Sequence, residues 1–384
     1  MAIRASRRSR TANTRRFFSA ASTASFAGDR GPRGLGYCVT RFGTGIIPSA
    51  VRSSLVFVVQ EMPSEYPRVS GVRARLLDDV RRGFGLRQRQ LPSYWLYDDA
   101  GSSLYEHITK LPEYYLTRAE MELLRDCLAD SLRQFPCEAL VELGPGSGEK
   151  SGVLVAQIAR ANRGRLPLYV PVDASSTHLA RSSARLQQEF GSLVIEPVTA
   201  FFGPEMLQQV FTRARPVLVA FLGSTIGNLE DSEAVALLAG IGRAMLGGDR
   251  LLLGADLHTK PRSWLLRAYN DPEGVTASFN KNLLAILNRE LGAAFPLQSF
   301  AHHAPWVESA LRIEMHLVAQ HDVEVLVPGA AVYRFRAGES IRTEICRKFA
   351  LDHLERLVAK AGLVVERFLV NARYQYALAL AVRA

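Results

Sequence analysis

The chain is predicted to be an α/β protein in which a mostly parallel sheet is interrupted by an inserted α+β lobe. Three observations carry that prediction. A short apolar run at Ala139–Leu143 breaks into a glycine-rich turn and then a helical pattern, and four further apolar runs alternate with helical stretches up to Asp256. Such alternation marks a parallel sheet covered on both faces. Over residues 257–348 it gives way to helical patterns and then period-two stretches, before a helix and two strands close the chain.

With 384 residues the chain has room for two domains. The sheet domain is assigned to residues 119–258 and 349–384, the lobe to 73–118 and 259–348, and an extension to 1–60. The extension holds ten arginines, no lysine and one acid, Asp29, so it carries nearly all of the net charge of +10. Its composition reads as a disordered Arg-rich tail or as sequence ahead of a true start such as Met62, in preference to an organelle transit peptide. The remaining body is close to neutral, which excludes a broad phosphate-binding face and so a nucleic-acid partner. No apolar run approaches the roughly 18 residues that a membrane span needs. The four cysteines are scattered without CxxC spacing and the eight histidines show no ligand spacing, so neither a metal site nor a disulfide framework is expected. His302 and His303 read as surface or structural residues. Together these features describe a cytoplasmic monomer.

From Val72 a helical pattern begins, with Leu77, Val80 and Leu86 on one face. Residues 91–120 then concentrate Tyr94, Trp95, Tyr97, Tyr105, Tyr114 and Tyr115. Aromatics of this density build buried packing arms or a ligand pocket whose phenols donate hydrogen bonds. A helix over 119–136 leads into the strand Ala139–Leu143. The turn that follows carries Gly144, Gly146 and Gly148; without a Cβ these positions accept φ > 0 and let a nucleoside ligand approach the backbone. Dinucleotide-binding and methyl-transfer enzymes both use such turns at the carboxyl end of a parallel strand.

A second strand at 168–172 ends in Asp173, where an acid commonly takes ribose hydroxyls; the alternative role is a helix N-cap or turn residue, with Ser175 and Ser176 following. The third strand is expected at 193–198, running into Phe201 and Phe202. The fourth, at 217–223, opens into the polar turn 224–228, and the fifth ends at Asp256. Helix 282–291 and the alternating stretches 311–319 and 330–344 belong to the lobe. Residues 349–361 read as a helix, 364–370 and 374–382 as the closing strand pair, the last strand antiparallel.

Several separate stretches then agree on one family. YDDAGSSLYEHITKLPEYYLTRAE, LVELGPGSGEKS, YVPVDAS, FLGSTIGN, AYNDPEGVTASFNKNLLAILNRELGA and GESIRTEICRKF resemble, in order, the histidine Nα-methyltransferases of the ergothioneine pathway. Those enzymes use S-adenosylmethionine to trimethylate L-histidine to hercynine on a Rossmann-like sheet with a substrate-binding lobe. The resemblance spans about residues 73–384. It implies that Gly144 and Gly146 approach the cofactor, that Lys150 lies beside it, that Asp173 takes the ribose and that Phe201 lies near the adenine. The family's aspartate before that phenylalanine is Ala200 here, which cannot accept from the adenine amine. For the substrate it implies that Asn228 and Tyr269 hold the carboxylate, Gly223 lies where the two ligands meet, Tyr97 and Tyr114 flank amine and imidazole, Met315 packs on the imidazole and Glu344 accepts its N–H. Cys346 replaces a serine that shares the imidazole in the family.

Methyl transfer from a sulfonium is an in-line displacement, so the protein supplies alignment and no nucleophile. The amine must lose a proton first. Tyr97 can orient that amine, but a phenol with pKa near roughly 10 is a poor base at neutral pH.

Overall fold

The computed structural model describes residues 71–200, 202, 207, 210, 211 and 214–384, and the backbone of one strand, Cys38–Phe42. These lie in a single unit, Gly36–Ala384. The main sheet has eight strands in the spatial order Cys38–Phe42, Leu363–Asn371, Tyr376–Arg383, Arg250–Asp256, Val217–Phe221, Ala139–Leu143, Leu168–Asp173, Val198–Thr199. The five strands from Arg250–Asp256 to Val198–Thr199 run parallel, and Tyr376–Arg383 is antiparallel to both its neighbours. The strand order reverses at Ala139–Leu143, and in open α/β sheets ligands bind in the crevice at such a switch point.

Alternate residues of the central strands feed two apolar layers. Leu140, Leu218 and Leu252 face the layer shared with the lobe. Ala139, Val141, Val219 and Leu251 face the helices Asp231–Ala244 and Leu351–Lys360. Burial on both faces explains why these strands read as continuous apolar runs.

Several details depart from the sequence expectations; the helix expected over 119–136 is two helices, Tyr115–Asp126 and Leu128–Leu132. The expected disordered tail contains the strand Cys38–Phe42, which pairs antiparallel with Leu363–Asn371 and covers what would be an open edge of the sheet; the rest of 1–60 lies outside the described residues. The third strand is only Val198–Thr199, preceded by one parallel bridge between Ile195 and Tyr169. Pro197 lies between these pieces and has no N–H to donate to a ladder. In the first helix, Val72–Phe84, the buried stripe is Leu76, Val80 and Phe84; Leu77 is half-buried, and Leu86 lies past the helix and is exposed.

The lobe is a second sheet. Ser340–Arg347 pairs with Arg312–Ala319, Arg89–Gln90 flanks the former, and Phe300–His303 and Trp306–Val307 flank the latter. The helix Val275–Leu291 packs against it. Its terminal strand returns to the main sheet where Phe349 N–H donates to the Asp256 carbonyl at 2.8 Å. At that junction the turn after Val217–Phe221 approaches very closely: a Cβ on Gly227 would stand 2.7 Å from the Arg347 carbonyl oxygen.

Candidate active site

The cavity between the carboxyl ends of the parallel strands and the second sheet encloses about 500 Å³ of atom-free space, its mouth included. Each wall residue is delivered by a local device. Tyr97 ends the 3-10 turn Ser93–Leu96, and Tyr114 stands at the start of the helix Tyr115–Asp126. Tyr269 is the last residue of the helix Arg262–Tyr269, held by His302, whose Nε2 lies 2.9 Å from the Tyr269 carbonyl while Nδ1 meets Asn280. His302 is thus structural. Asn228 closes the 3-10 turn Thr225–Asn228, beyond Gly223 at φ 75°. Met315 and Glu344 are direct cross-strand partners, and Cys346 follows two residues later on the same face.

All eight residues that the sequence assigns to the substrate, Tyr97, Tyr114, Gly223, Asn228, Tyr269, Met315, Glu344 and Cys346, line this cavity. Glu344 is its hub. One carboxylate oxygen accepts from Asn228 Nδ2 at 3.0 Å and Tyr97 OH at 3.3 Å, the other from Cys346 Sγ at 3.3 Å. Burial pushes its carboxyl up to about 7, against the lowering effect of Cys346, Tyr97 and Lys348. Burial also holds the phenols of Tyr97, Tyr114 and Tyr269 well above 10, so they remain protonated hydrogen-bond donors. The Cys346 thiol is likewise raised, by burial first and by Glu344 second.

The glycine turn follows Ala139–Leu143, whose parallel neighbour Val217–Phe221 leads to Gly223 on the cavity wall. Gly144, Gly146 and Gly148 have φ values of 73°, 55° and 78°, so each occupies the region that glycine tolerates and other residues rarely adopt. A Cβ at Gly146 would meet no atom within 4 Å, whereas at Gly144 it would touch Phe202 at 3.5 Å. Backbone open to that degree above a strand end fits the approach of a nucleoside. Lys150, in the first turn of the helix Glu149–Ala161, bridges to the cavity: a Cβ on Gly223 would lie 3.4 Å from its ammonium. Asp173 sits at its strand end, with one carboxylate oxygen accepting the Ser175 N–H at 2.9 Å. The helix cap is Ser175, whose hydroxyl accepts the His178 N–H at 3.2 Å; Asp173 has the turn role, in the loop next to Gly144, whose N–H donates to the Val172 carbonyl. Phe201 lies outside the described residues. Its neighbour Phe202 packs against Phe221, with ring centroids 5.9 Å apart.

Several polar groups of the site were not anticipated. Glu120 is fully buried and accepts from Lys150 Nζ at 2.7 Å, Tyr376 OH at 2.6 Å and the Gly223 N–H at 2.9 Å. Beneath Tyr269 lies a second cluster, Asp256 with Lys260, Lys348 and Tyr115. Tyr105, from the aromatic segment read as a packing arm or pocket wall, does line the cavity, its hydroxyl 3.3 Å from that of Tyr114.

Residues 76–383 match the family described as histidine-specific methyltransferase, SAM-dependent. The chain belongs to this family. The histidine N-alpha-methyltransferase of Mycobacterium tuberculosis (strain CDC 1551 / Oshkosh) is 40% identical over 306 residues, 79% of this chain and 94% of that protein. Its counterpart from Mycolicibacterium smegmatis is 37% identical, over 83% of this chain and 98% of that protein. Ergothioneine biosynthesis protein 1 of Neurospora crassa is 29% identical over 72% of this chain, a match that takes in 31% of that longer protein. Family membership, together with a parallel sheet closed by an antiparallel strand, makes this chain an S-adenosylmethionine-dependent methyltransferase of Rossmann-like architecture.

Proposed function

We propose that the chain transfers methyl groups from S-adenosylmethionine to the α-amine of L-histidine, forming hercynine as a step of ergothioneine biosynthesis. The observation that carries this reading is the convergence on one cavity of Tyr97, Tyr114, Asn228, Tyr269, Met315, Glu344 and Cys346, beside Lys150 and Gly223. The cofactor, when bound, supplies an electrophilic methyl group on a sulfonium. Gly144, Gly146, Lys150 and Asp173 are the residues that would hold it, with Phe201 toward its adenine.

The remaining work is positioning. Asn228 and Tyr269 hold the substrate carboxylate, and Tyr114 faces the amine and ring. Met315 packs on the imidazole, and Glu344 accepts its N–H. Tyr97 remains a phenol at neutral pH, so it orients the amine and keeps its lone pair aimed; it does not remove the proton as a free base. Ile108, Leu116, Phe279 and Met315 make part of the wall apolar, and a displacement that spreads the sulfonium charge over sulfur and nitrogen gains from lower polarity. The second sheet with residues 73–118 acts as the substrate lobe, and residues 119–258 and 349–384 act as the cofactor domain. No helix among the described residues is long and apolar enough to cross a membrane. We place the activity in the cytoplasm, in a monomer that needs neither nucleic acid nor membrane.

Incubating the full chain with S-adenosylmethionine and each of the twenty amino acids tests the reading. Mass spectrometry is expected to show three methyl additions to histidine. Methylation of a different amino acid or amine, with histidine untouched, would replace histidine as substrate.

Cys346 gives a narrower prediction. A thiol is a weaker donor and acceptor than a hydroxyl, so the pair it forms with Glu344 orients the carboxylate less firmly. Cys346→Ser is expected to lower the KM for histidine about three- to tenfold. An unchanged or raised KM would show that the thiol is not a weakness of this site.

A further inference from the structure

We propose that Lys348 is a positioning residue that makes this pocket demand a free carboxylate on its substrate. The proposal rests on the histidine reading above and adds the group that selects the acid end of the molecule. Glu344, Cys346 and Lys348 all line the cavity at two-residue spacing, the last just beyond the strand Ser340–Arg347. This puts an acid and a cation at the two ends of one face with Cys346 between them, close enough for Lys348 to favour the charged form of Glu344. The acid end is the end assigned to the imidazole. The cationic end lies behind Tyr269.

Lys348 is 1% exposed, and its ammonium donates to the Tyr269 hydroxyl at 2.7 Å and pairs with Asp256 Oδ2 at 3.0 Å. A lysine has no acceptor. The phenol oxygen must therefore accept from Lys348, which leaves the phenol's own hydrogen for Cys346, its neighbour on the cavity wall, or for a substrate acceptor that displaces the thiol. Lys348 thus turns Tyr269 into a directed donor with a positive charge behind it. That charge is incompletely balanced locally. Asp256 is also ion-paired with Lys260 and takes the Tyr115 hydroxyl. Among the described residues it is the one carboxylate in ion-pair contact with either lysine. Two buried ammonium groups against one carboxylate are costly until a further anion arrives, and a substrate carboxylate held by Tyr269 and Asn228 is that anion. The pocket therefore selects α-amino acids and rejects the decarboxylated amine and the carboxamide.

The charge count also makes the test tractable, because removing Lys348 leaves Asp256 and Lys260 as a neutral pair. In the full-length wild type, kcat/KM for histidinamide and histamine is expected at least 100-fold below that for histidine; comparable values would overturn the proposal. In Lys348→Met the KM for histidine is expected to rise at least 30-fold with kcat within about threefold. Histidinamide should change less than threefold, so discrimination collapses, and Lys348→Arg should restore part of it. S-adenosylhomocysteine affinity, read by calorimetry, should not move. A parallel fall on both substrates with weakened S-adenosylhomocysteine binding would make Lys348 a structural partner of Asp256 and overturn the proposal. Should Lys348→Met fail to fold, Lys348→Gln, which keeps a donor toward Tyr269, carries the same comparison. If histidine is not methylated by the wild type at all, the substrate reading fails, a result separate from an unchanged discrimination ratio.

Discussion

Glu344→Gln is expected to raise the KM for histidine about 10- to 100-fold while leaving S-adenosylhomocysteine binding unchanged and making the ligand-free enzyme more stable at pH 8. The first effect follows from replacing a carboxylate acceptor of the imidazole N–H with an amide, since charge-assisted hydrogen bonds are worth roughly 1.5–3 kcal/mol. The second follows from where Glu344 sits, on the second sheet and away from the glycine turn. The third follows from burial: a carboxyl held at about 7 in the fold, against 4.5 for the free group, keeps a proton that the unfolded chain has already released. Between those values unfolding becomes easier as pH rises, so the penalty is absent below about 4.5 and complete above about 7. Its size is at most about 3 kcal/mol. Glutamine cannot ionise, and its carbonyl can still accept from Tyr97 and Asn228. Thermal or urea unfolding should show a gain at pH 8 and none at pH 4. Equal stability of the two proteins at pH 8 would mean that Glu344 is not held as an acid of raised pKa.

The same sign governs recognition. Above about 7 the carboxylate is charged and accepts from the imidazole, so the wild-type KM for histidine should fall as pH rises through neutrality. Histidine itself titrates in this range, which makes the variant the proper control: Glu344→Gln should lose the component that belongs to the enzyme. Glu344 would thus be kept at a cost to stability, as expected of a buried acid retained for its ligand.

How much of this was visible in the sequence depended on whether a residue announces itself locally. The central strands did so because both faces are apolar. The glycine turn did so because three closely spaced positions need φ > 0. Glu344 by itself reads as a strand acid beside Arg342, and only its motif pointed inward; its burial at 7% exposure comes from the cross-strand pairing with Met315. The third strand was expected at 193–198 because apolar content outweighed the break at Pro197; it is shorter, Val198–Thr199. Glu120 was hidden for a different reason. It lies on the apolar stripe of its helix with Leu116, Ala119 and Leu123, and an acid on such a stripe implies a partner without saying which one. That partner, Lys150, is 30 residues away and comes from another element. Lys348 carried a usable signal, the two-residue spacing from Glu344 and Cys346, but its meaning needed the helix end that brings Tyr269 alongside.

Glu120→Ala should be the most destabilising single change in the site, on the order of 3–5 kcal/mol in urea unfolding, because it breaks a buried ion pair by removing one partner. Lys150 would keep a charge that burial opposes and that Glu120 now more than offsets, holding the ammonium above its usual range. The Gly223 N–H and the Tyr376 hydroxyl would lose their acceptor at the same time. Space reinforces the point: a Cβ on Gly254 would stand 2.1 Å from Glu120 Oε1, so the main sheet leaves room for this carboxylate. Activity should fall with stability, since the Gly223 turn carries Asn228 into the substrate cavity and Lys150 lies beside the glycine turn. The double variant Glu120→Gln/Lys150→Met separates charge from packing. It removes both charges, retains an amide that can accept from Tyr376 or Gly223, and should be more stable than Glu120→Ala. A Glu120→Ala protein destabilised by less than about 1 kcal/mol would show that the pair is not what anchors the Gly223 turn.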